Sequence, residues 1–460
     1  MNPFSNPIFL SKLLKSYFFD IDRLKNFSEE ELKNFQDKQF KKMVEFAYTV
    51  PMYHDKYKKA GVHPKNVSGI DDISKLPFIT KEDFKNYNLD GIIGPNTNKN
   101  QIIKITTSGT TGKSLSIYED MFGLVLWFFS VIRCIKQYGI SWRKHRMTLI
   151  PDFAPHTVEN KFINVGLLPN LNQNLFFTNM QWLNTNDKPK DLIKEIDKFN
   201  PEFIGGYVGM LCHLALLKEK GYGKNVNPKW VATTGGVITT PLRKLLEETF
   251  DAVVFDYYAA TEAGVIAFQG KCGHYHVNSD LVYPEFLMDG KPVGSKEQAR
   301  FVITKLYGRG TPIIRYDSVN DIVAPLYEKC NCNIPGQLID KIYGRDDLSL
   351  FLSGGRVLLP ATIAEIHGRL LYELKTNKVQ HTRIIQHSLN QIEIKLVLDK
   401  KLKEKKPSAK EIFSVLRDGY EDKIGSDIKV DIKEVKSVSK KGPRIVTNID
   451  KTKFITKKYI

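Results

Sequence analysis

Trp230-Val231-Ala232-Thr233-Thr234-Gly235-Gly236 reads as a short apolar strand that ends on a glycine pair. Working outward, Glu202 to Tyr207 and Ala252 to Tyr258 read as strands of the same kind. Met210 to Lys220 has the spacing of an amphipathic helix. Thr240-Pro241 opens another helix, to Phe250; proline suits its first position, where no backbone N–H is needed. Strand–helix–strand–helix–strand predicts a parallel sheet, and ligands of such sheets sit at the carboxyl ends of the strands. Those ends carry Gly205-Gly206-Tyr207, Thr234-Gly235-Gly236 and Tyr258-Ala259-Ala260-Thr261-Glu262.

Upstream lies Thr106-Thr107-Ser108-Gly109-Thr110-Thr111-Gly112-Lys113. Glycines let backbone N–H groups turn inward, hydroxyls donate to phosphate oxygens, and lysine adds a positive charge, so a loop of this composition can wrap a polyphosphate. The common phosphate loop of NTPases has wider glycine spacing and runs straight into a helix. Here Ile102 to Ile105 and Leu115 to Tyr118 read as strands on either side, which predicts a hairpin loop. The plainer alternative is a polar surface hairpin.

A chain of 460 residues predicts two to four domains. The first ninety residues read as helical: Phe35, Phe40, Met43, Val44 and Ala47 share one face, and Thr80 is placed to cap a helix. Met121 to Ile132 is apolar but too short to span a membrane and is followed by Arg133, so it reads as a core helix. With no secretory signal pattern at the start, the expected location is cytoplasmic. The net charge is +17, and much of the excess sits in lysine runs near the C-terminus that mostly lack interleaved aromatics. They read as a solvated face, with no nucleic-acid partner expected; the excess still attracts anionic substrates. Beyond about residue 345 the texture changes. Ile392, Ile394, Leu396 and Leu398 alternate as on a half-buried strand, Ser408 with Glu411 forms a capping box, and Ile428, Val430 and Ile432 alternate again. The expected fold is α/β, with a small α+β domain at the end.

Two further motifs follow: Arg315-Tyr316-Asp317-Ser318-Val319-Asn320-Asp321, then Gly344-Arg345-Asp346-Asp347. With the threonine-rich loop and Tyr258 to Glu262, they resemble the core motifs of the AMP-forming acyl and aryl ligases, the adenylating superfamily of acyl-CoA synthetases. Val44 to Tyr53 and Leu76-Pro77-Phe78-Ile79-Thr80-Lys81 resemble, more narrowly, the phenylacetate-CoA ligase branch and its CapK-like proteins of capsule and surface-polysaccharide gene clusters. The resemblance implies an N-terminal adenylation domain, 1–344, and a mobile C-terminal domain, 345–460, with its hinge at 345–347. It implies that Ser108, Gly109, Thr110, Thr111, Gly112 and Lys113 hold the ATP phosphates. Thr261 binds the α-phosphate, Glu262 holds Mg²⁺, and Asp321 accepts the ribose hydroxyls. Gly235, Gly236 and Tyr258 flank the adenine and acyl pocket, and Arg345 sits at the hinge.

The implied reaction joins a small carboxylic acid to AMP and then to CoA; the alternative acceptor is an amine or a sugar. A rival reading is a degenerate nucleotide-binding scaffold. The family's C-terminal adenylating lysine matches imperfectly. Aligning on Arg444 puts Gly442 in its place, leaving Lys441 as the candidate and Lys440 as the second choice. Separately, Cys272, His276, Cys330 and Cys332 form a three-cysteine, one-histidine set of the kind that holds structural zinc; reduced surface cysteines are the alternative.

Overall fold

The structure, a computed structural model, describes residues 6–106, 114–167, 177–402, 406–439, 444–449 and 458–459. It opens with helices α1 (Pro7–Asn26), α2 (Glu29–Tyr48), α3 (Pro51–Lys59), α4 (Lys81–Lys85) and α5 (Leu89–Ile92). In α2 the expected face is buried at Phe40, Met43, Val44 and Ala47, while Phe35 is only half-buried. Thr80 caps α4 in a reciprocal box with Asp83. Strands β1 (Ile102–Thr106) and β2 (Ser116–Asp120) form the antiparallel hairpin that brackets the threonine-rich loop. Residues Thr107 to Lys113 themselves lie outside the described residues.

Helix α6 (Met121–Gln137) follows as a buried core helix. Its arginine is not a breaker. Arg133 pairs both guanidinium nitrogens with the buried Asp280 and donates to the carbonyls of Asp20 and Ile21 in α1. The buried charge is thereby fully partnered, and it ties three segments together.

The central strands are β3 (Met147–Ile150), β4 (Met180–Trp182), β5 (Phe203–Tyr207), β6 (Trp230–Thr234) and β7 (Val253–Ala260). Helices α7 (Pro189–Phe199), α8 (Val208–Glu219) and α9 (Thr240–Phe250) alternate with them. β4, β3, β5, β6 and β7 pair in parallel, as the strand–helix alternation predicts. The sheet then continues antiparallel through β8 (Gly264–Gln269), β9 (Tyr275–Val277), β10 (Val282–Met288), β11 (Lys291–Pro292), β12 (Ala299–Lys305), β13 (Asp321–Leu326) and β14 (Leu338–Arg345). Among the described residues this makes one twelve-stranded mixed sheet, ordered β11-β10-β12-β13-β14-β9-β8-β7-β6-β5-β3-β4. A wholly parallel sheet is therefore not what forms: short hairpin turns after β7, with no helix to cross over, force antiparallel pairing.

The hairpin of β1 and β2 is pinned to this sheet by a buried ion pair between Glu119 of β2 and Lys305 of β12. Gly310 completes the seam: a Cβ there would lie 2.0 Å from the carbonyl oxygen of Tyr118.

After Arg345 a 3₁₀ turn (Asp346–Leu348) leads into a separate core. There α10 (Pro360–Tyr372) and α11 (Ala409–Ile424) pack on an antiparallel pair, residues Val379–Ser388 and Gln391–Leu398, around Ile392, Ile394, Leu396, Ile412 and Leu416. Ser408 and Glu411 form the capping box of α11.

Candidate functional site

The carboxyl ends of β6 and β7 and the start of β13 converge. Tyr258, on β7, donates its hydroxyl to Asp321 Oδ2 at 2.5 Å. Asp321 is the first residue of β13 and pairs across the ladder with Arg345, the last residue of β14. The chain enters β13 through Asn320 in a left-handed conformation (φ 61°), whose carbonyl accepts from the Asp346 N–H at 2.7 Å.

Thr261 and Glu262 occupy the tight turn from β7 to β8, closed by the Ala263 N–H on the Ala260 carbonyl. Burial raises the pKa of the Glu262 carboxyl; the positive charges of Arg345 and Lys81 pull it back. The hydroxyl of the buried Tyr316 donates to Glu262 Oε1 at 3.4 Å. Lys81 reaches this region because Ile79 bridges in parallel to Tyr316. A carboxylate beside a hydroxyl, held between two cations, suits a hard cation together with polyphosphate. Mg²⁺ takes few carboxylates and fills its shell with phosphate oxygens and water, so this donor set fits it.

Gly235 adopts φ +70°, and a Cβ there would lie 2.3 Å from Cδ1 of Tyr207, so only glycine lets the loop lie on that ring. Val237 behind it touches the space over Gly344, next to Arg345. The strand ends are braced from below. Thr234 Oγ1 donates to the Tyr257 carbonyl, and Thr233 Oγ1 donates to the buried Asp256 Oδ1 at 2.6 Å. Tyr275 donates to the other Asp256 oxygen at 2.9 Å.

The structure thus brings together Gly235, Tyr258, Thr261, Glu262, Asp321 and Arg345. Gly236 follows Gly235, and a Cβ there would meet Val208 at 3.9 Å, an ordinary contact. Ser108, Gly109, Thr110, Thr111, Gly112 and Lys113 lie outside the described residues, as do Lys440 and Lys441. Two participants escaped the sequence reading of the site, Lys81 and Tyr316, although both lie inside quoted motifs. A third group carries no motif: Tyr207 donates to Glu159 at 2.8 Å, and burial raises the Glu159 pKa.

The cysteine–histidine set is assembled as expected. Cys272 lies in the turn between β8 and β9, His276 in β9, and Cys330 and Cys332 in the turn between β13 and β14. Their four ligand atoms lie within 4.8 Å of one another, and both Cys272 Sγ and Cys330 Sγ are 3.5 Å from His276 Nε2. Ligands of tetrahedral zinc are spaced by about 3.5–3.8 Å, so the geometry fits zinc. Burial lowers the His276 pKa to about 4, leaving a neutral ring. Burial, followed by the crowding of Cys332 and Cys330, pushes the Cys272 thiol up to about 12, a penalty that a cation would remove.

Residues 362–443 match the CapK C-terminal domain family. The chain is 23% identical to protein CapK of Staphylococcus aureus over 308 residues, 66% of this chain and 65% of CapK. The match thus spans just under two thirds of CapK. It is 25% identical to the phenylacetate-coenzyme A ligase of Escherichia coli over 390 residues, 78% of this chain and 83% of that enzyme. Its fold resembles 2-hydroxyisobutyryl-CoA ligase solved in the postadenylation state with an acyl-AMP, with a TM-score of 0.71 at 15% identity over 93% of this chain and 90% of the other. Against the thioesterification state of that ligase the TM-score is 0.61, at 17% identity over 93% and 91%. Fold and motifs together are those of the AMP-forming adenylating superfamily. Within it, the chain's sequence similarity runs to phenylacetate-CoA ligases and to CapK.

Proposed function

We propose that the protein activates a small carboxylic acid with ATP and passes the acyl group to an acceptor. The observation that carries this reading is the convergence of the Tyr258–Asp321 pair with Glu262, Lys81 and Arg345 at the strand ends. An ionised Asp321 can accept both ribose hydroxyls. Tyr258 orients that carboxylate. Lys81 and Arg345 favour phosphate nearby; Lys113 is assigned to the phosphates on its motif alone.

In the first step a substrate carboxylate oxygen bonds to the α-phosphorus, the bond to the β-phosphate bridge breaks, and pyrophosphate leaves. Glu262 would hold Mg²⁺, which would supply positive charge to the departing phosphates. In the second, the sulfur, nitrogen or hydroxyl oxygen of the acceptor bonds to the carbonyl carbon, the acyl–phosphate bond breaks, AMP leaves, and the acceptor's proton passes to solvent.

CoA is the first acceptor to test, because thioester ligases recur among the similar proteins. An amine or sugar acceptor is the second reading, favoured by the match to the CapK C-terminal domain. We also infer a structural zinc on Cys272, His276, Cys330 and Cys332; four protein ligands leave no open position for chemistry.

The test is pyrophosphate release from Mg-ATP across a panel of carboxylic acids, followed by CoA or amine addition. Asp321→Ala is expected to weaken nucleotide binding by about 2–4 kcal/mol, since a charged acceptor of two hydrogen bonds is lost. If no acid of the panel elicits pyrophosphate release while Mg-ATP still gives a normal thermal shift, the ligase reading sinks in favour of the scaffold.

A further inference from the structure

We propose that the outer face of α1 is a docking surface for an anionic lipid membrane. Eight large apolar side chains stand exposed among the described residues, and four of them sit on this one helix: Ile8 (80% exposed), Leu14 (58%), Phe18 (69%) and Phe19 (66%). Ile8, Lys12, Lys15 and Phe19 follow one another at offsets of four, seven and eleven, so they line one side of the helix. Leu14 and Phe18, four apart, run alongside. The other side is held in the protein core by Leu13, Tyr17, Ile21 and Leu24. Arg133 binds the carbonyls of Asp20 and Ile21 and so ties the C-terminal part of the helix to α6.

Charge identifies the occupant. Residues 7–19 hold two lysines and no acid; Lys15 stands exposed, while the ammonium of Lys12 lies 3.5 Å over the ring of Phe122 at the edge of the face. Flanking the helix on its Tyr17 side, Arg143 stands 5.4 Å over the Tyr17 ring and 5.1 Å over Trp142, with the exposed Lys144 beside it. Asp20 and Asp22, near the helix end, are already paired with Arg23 and Lys136.

Apolar side chains interleaved with lysines on a convex helix offer no cleft to a protein partner. They match a lipid interface, where the rings enter the headgroup boundary and lysine stems reach the phosphates. No described helix is long and apolar enough to cross a membrane, so the contact is peripheral. This inference does not depend on the ligase reading.

Flotation of the full chain with vesicles tests it. Vesicles of phosphatidylcholine with phosphatidylglycerol are expected to carry the protein, and phosphatidylcholine alone to carry at least tenfold less. Phe18→Ser with Phe19→Ser is expected to lose at least tenfold in vesicle binding while keeping the melting temperature, because both rings are exposed. Phe19→Trp is expected to emit further to the blue with anionic vesicles, reporting entry into the interface. Wild-type protein that stays unbound, or a double variant that binds as wild type through its lysines alone, overturns the proposal. So does light scattering that finds a dimer lost in the double variant, since the face then belongs to a second copy.

Discussion

At the scale of the residue, the site is built from groups held away from their ordinary titration. Asp256 is buried, and burial pushes its carboxyl up to about 7 against the pull of Thr233, Tyr275 and Arg243. In the unfolded chain the same carboxyl titrates near 4, roughly. Between those two values the folded protein holds a proton that the unfolded chain has lost. The stabilisation is therefore full below about pH 4 and is lost as pH rises through about 7, on the order of a few kcal/mol. Thermal melts from pH 5 to pH 8 should show this fall. Asp256→Asn should flatten it, since both hydroxyl partners can turn to accept. An unchanged pH slope in the variant would place the titration elsewhere. Lys441 is argued from sequence alone. If it is the adenylating lysine, Lys441→Ala should cut pyrophosphate release on the order of 10²-fold, while Lys440→Ala stays mild. Equal, small effects would mean that neither lysine is used.

At the scale of the element, the strands were legible because their residues were locally consistent. Trp230–Thr234 emerges with the bounds its apolar run predicts, and the boxes at Thr80 and Ser408 form as their spacing requires. What the sequence could not show was pairing between distant strands. Nothing local says that β14 comes between β13 and β9, yet that neighbourhood brings Cys330 and Cys332 to His276. Glu159 beside Tyr207 was invisible for the same reason, because 48 residues separate them and no motif spans the gap. The turn that carries Cys272 leads into β9, which touches the site. Tyr275 stands between His274 and His276 and bonds Asp256, which bonds Thr233 near the Gly235-Gly236 loop. Elemental analysis of protein purified without added metal should find one zinc per chain. Chelation should lower the melting temperature, since the ligand set holds two hairpin turns together. Metal content near zero, with no effect of chelator, would remove the site.

At the scale of the whole molecule, the small domain rests on the large one through α10 against α9. Tyr372 donates to Glu248 at 2.7 Å, and Leu371 and Tyr372 pack on the core that contains Leu242 and Leu246. Gly368 of α10 lies at the seam, where a Cβ would meet Leu242 and Thr239 at 3.3 Å. If the small domain turns between the two half-reactions, this seam exists in only one of the two arrangements. The present arrangement overlays more fully on the ligase captured after adenylation than on the one captured in thioesterification. Gly368→Val drives two methyl groups into Leu242 and should weaken the seam by about 1–3 kcal/mol. Within each domain it costs little, because valine is no worse than glycine in a helix. Pyrophosphate release should therefore fall several-fold, while transfer from a pre-formed adenylate holds. Gly368→Ala, which adds the Cβ alone, should lie between wild type and Gly368→Val. Equal loss in both half-reactions, with a lowered melting temperature, would mean that the seam supports the fold itself. No change in either would mean that this contact is not made during turnover, and the small domain would then have to reach Asp321 and Glu262 from another direction.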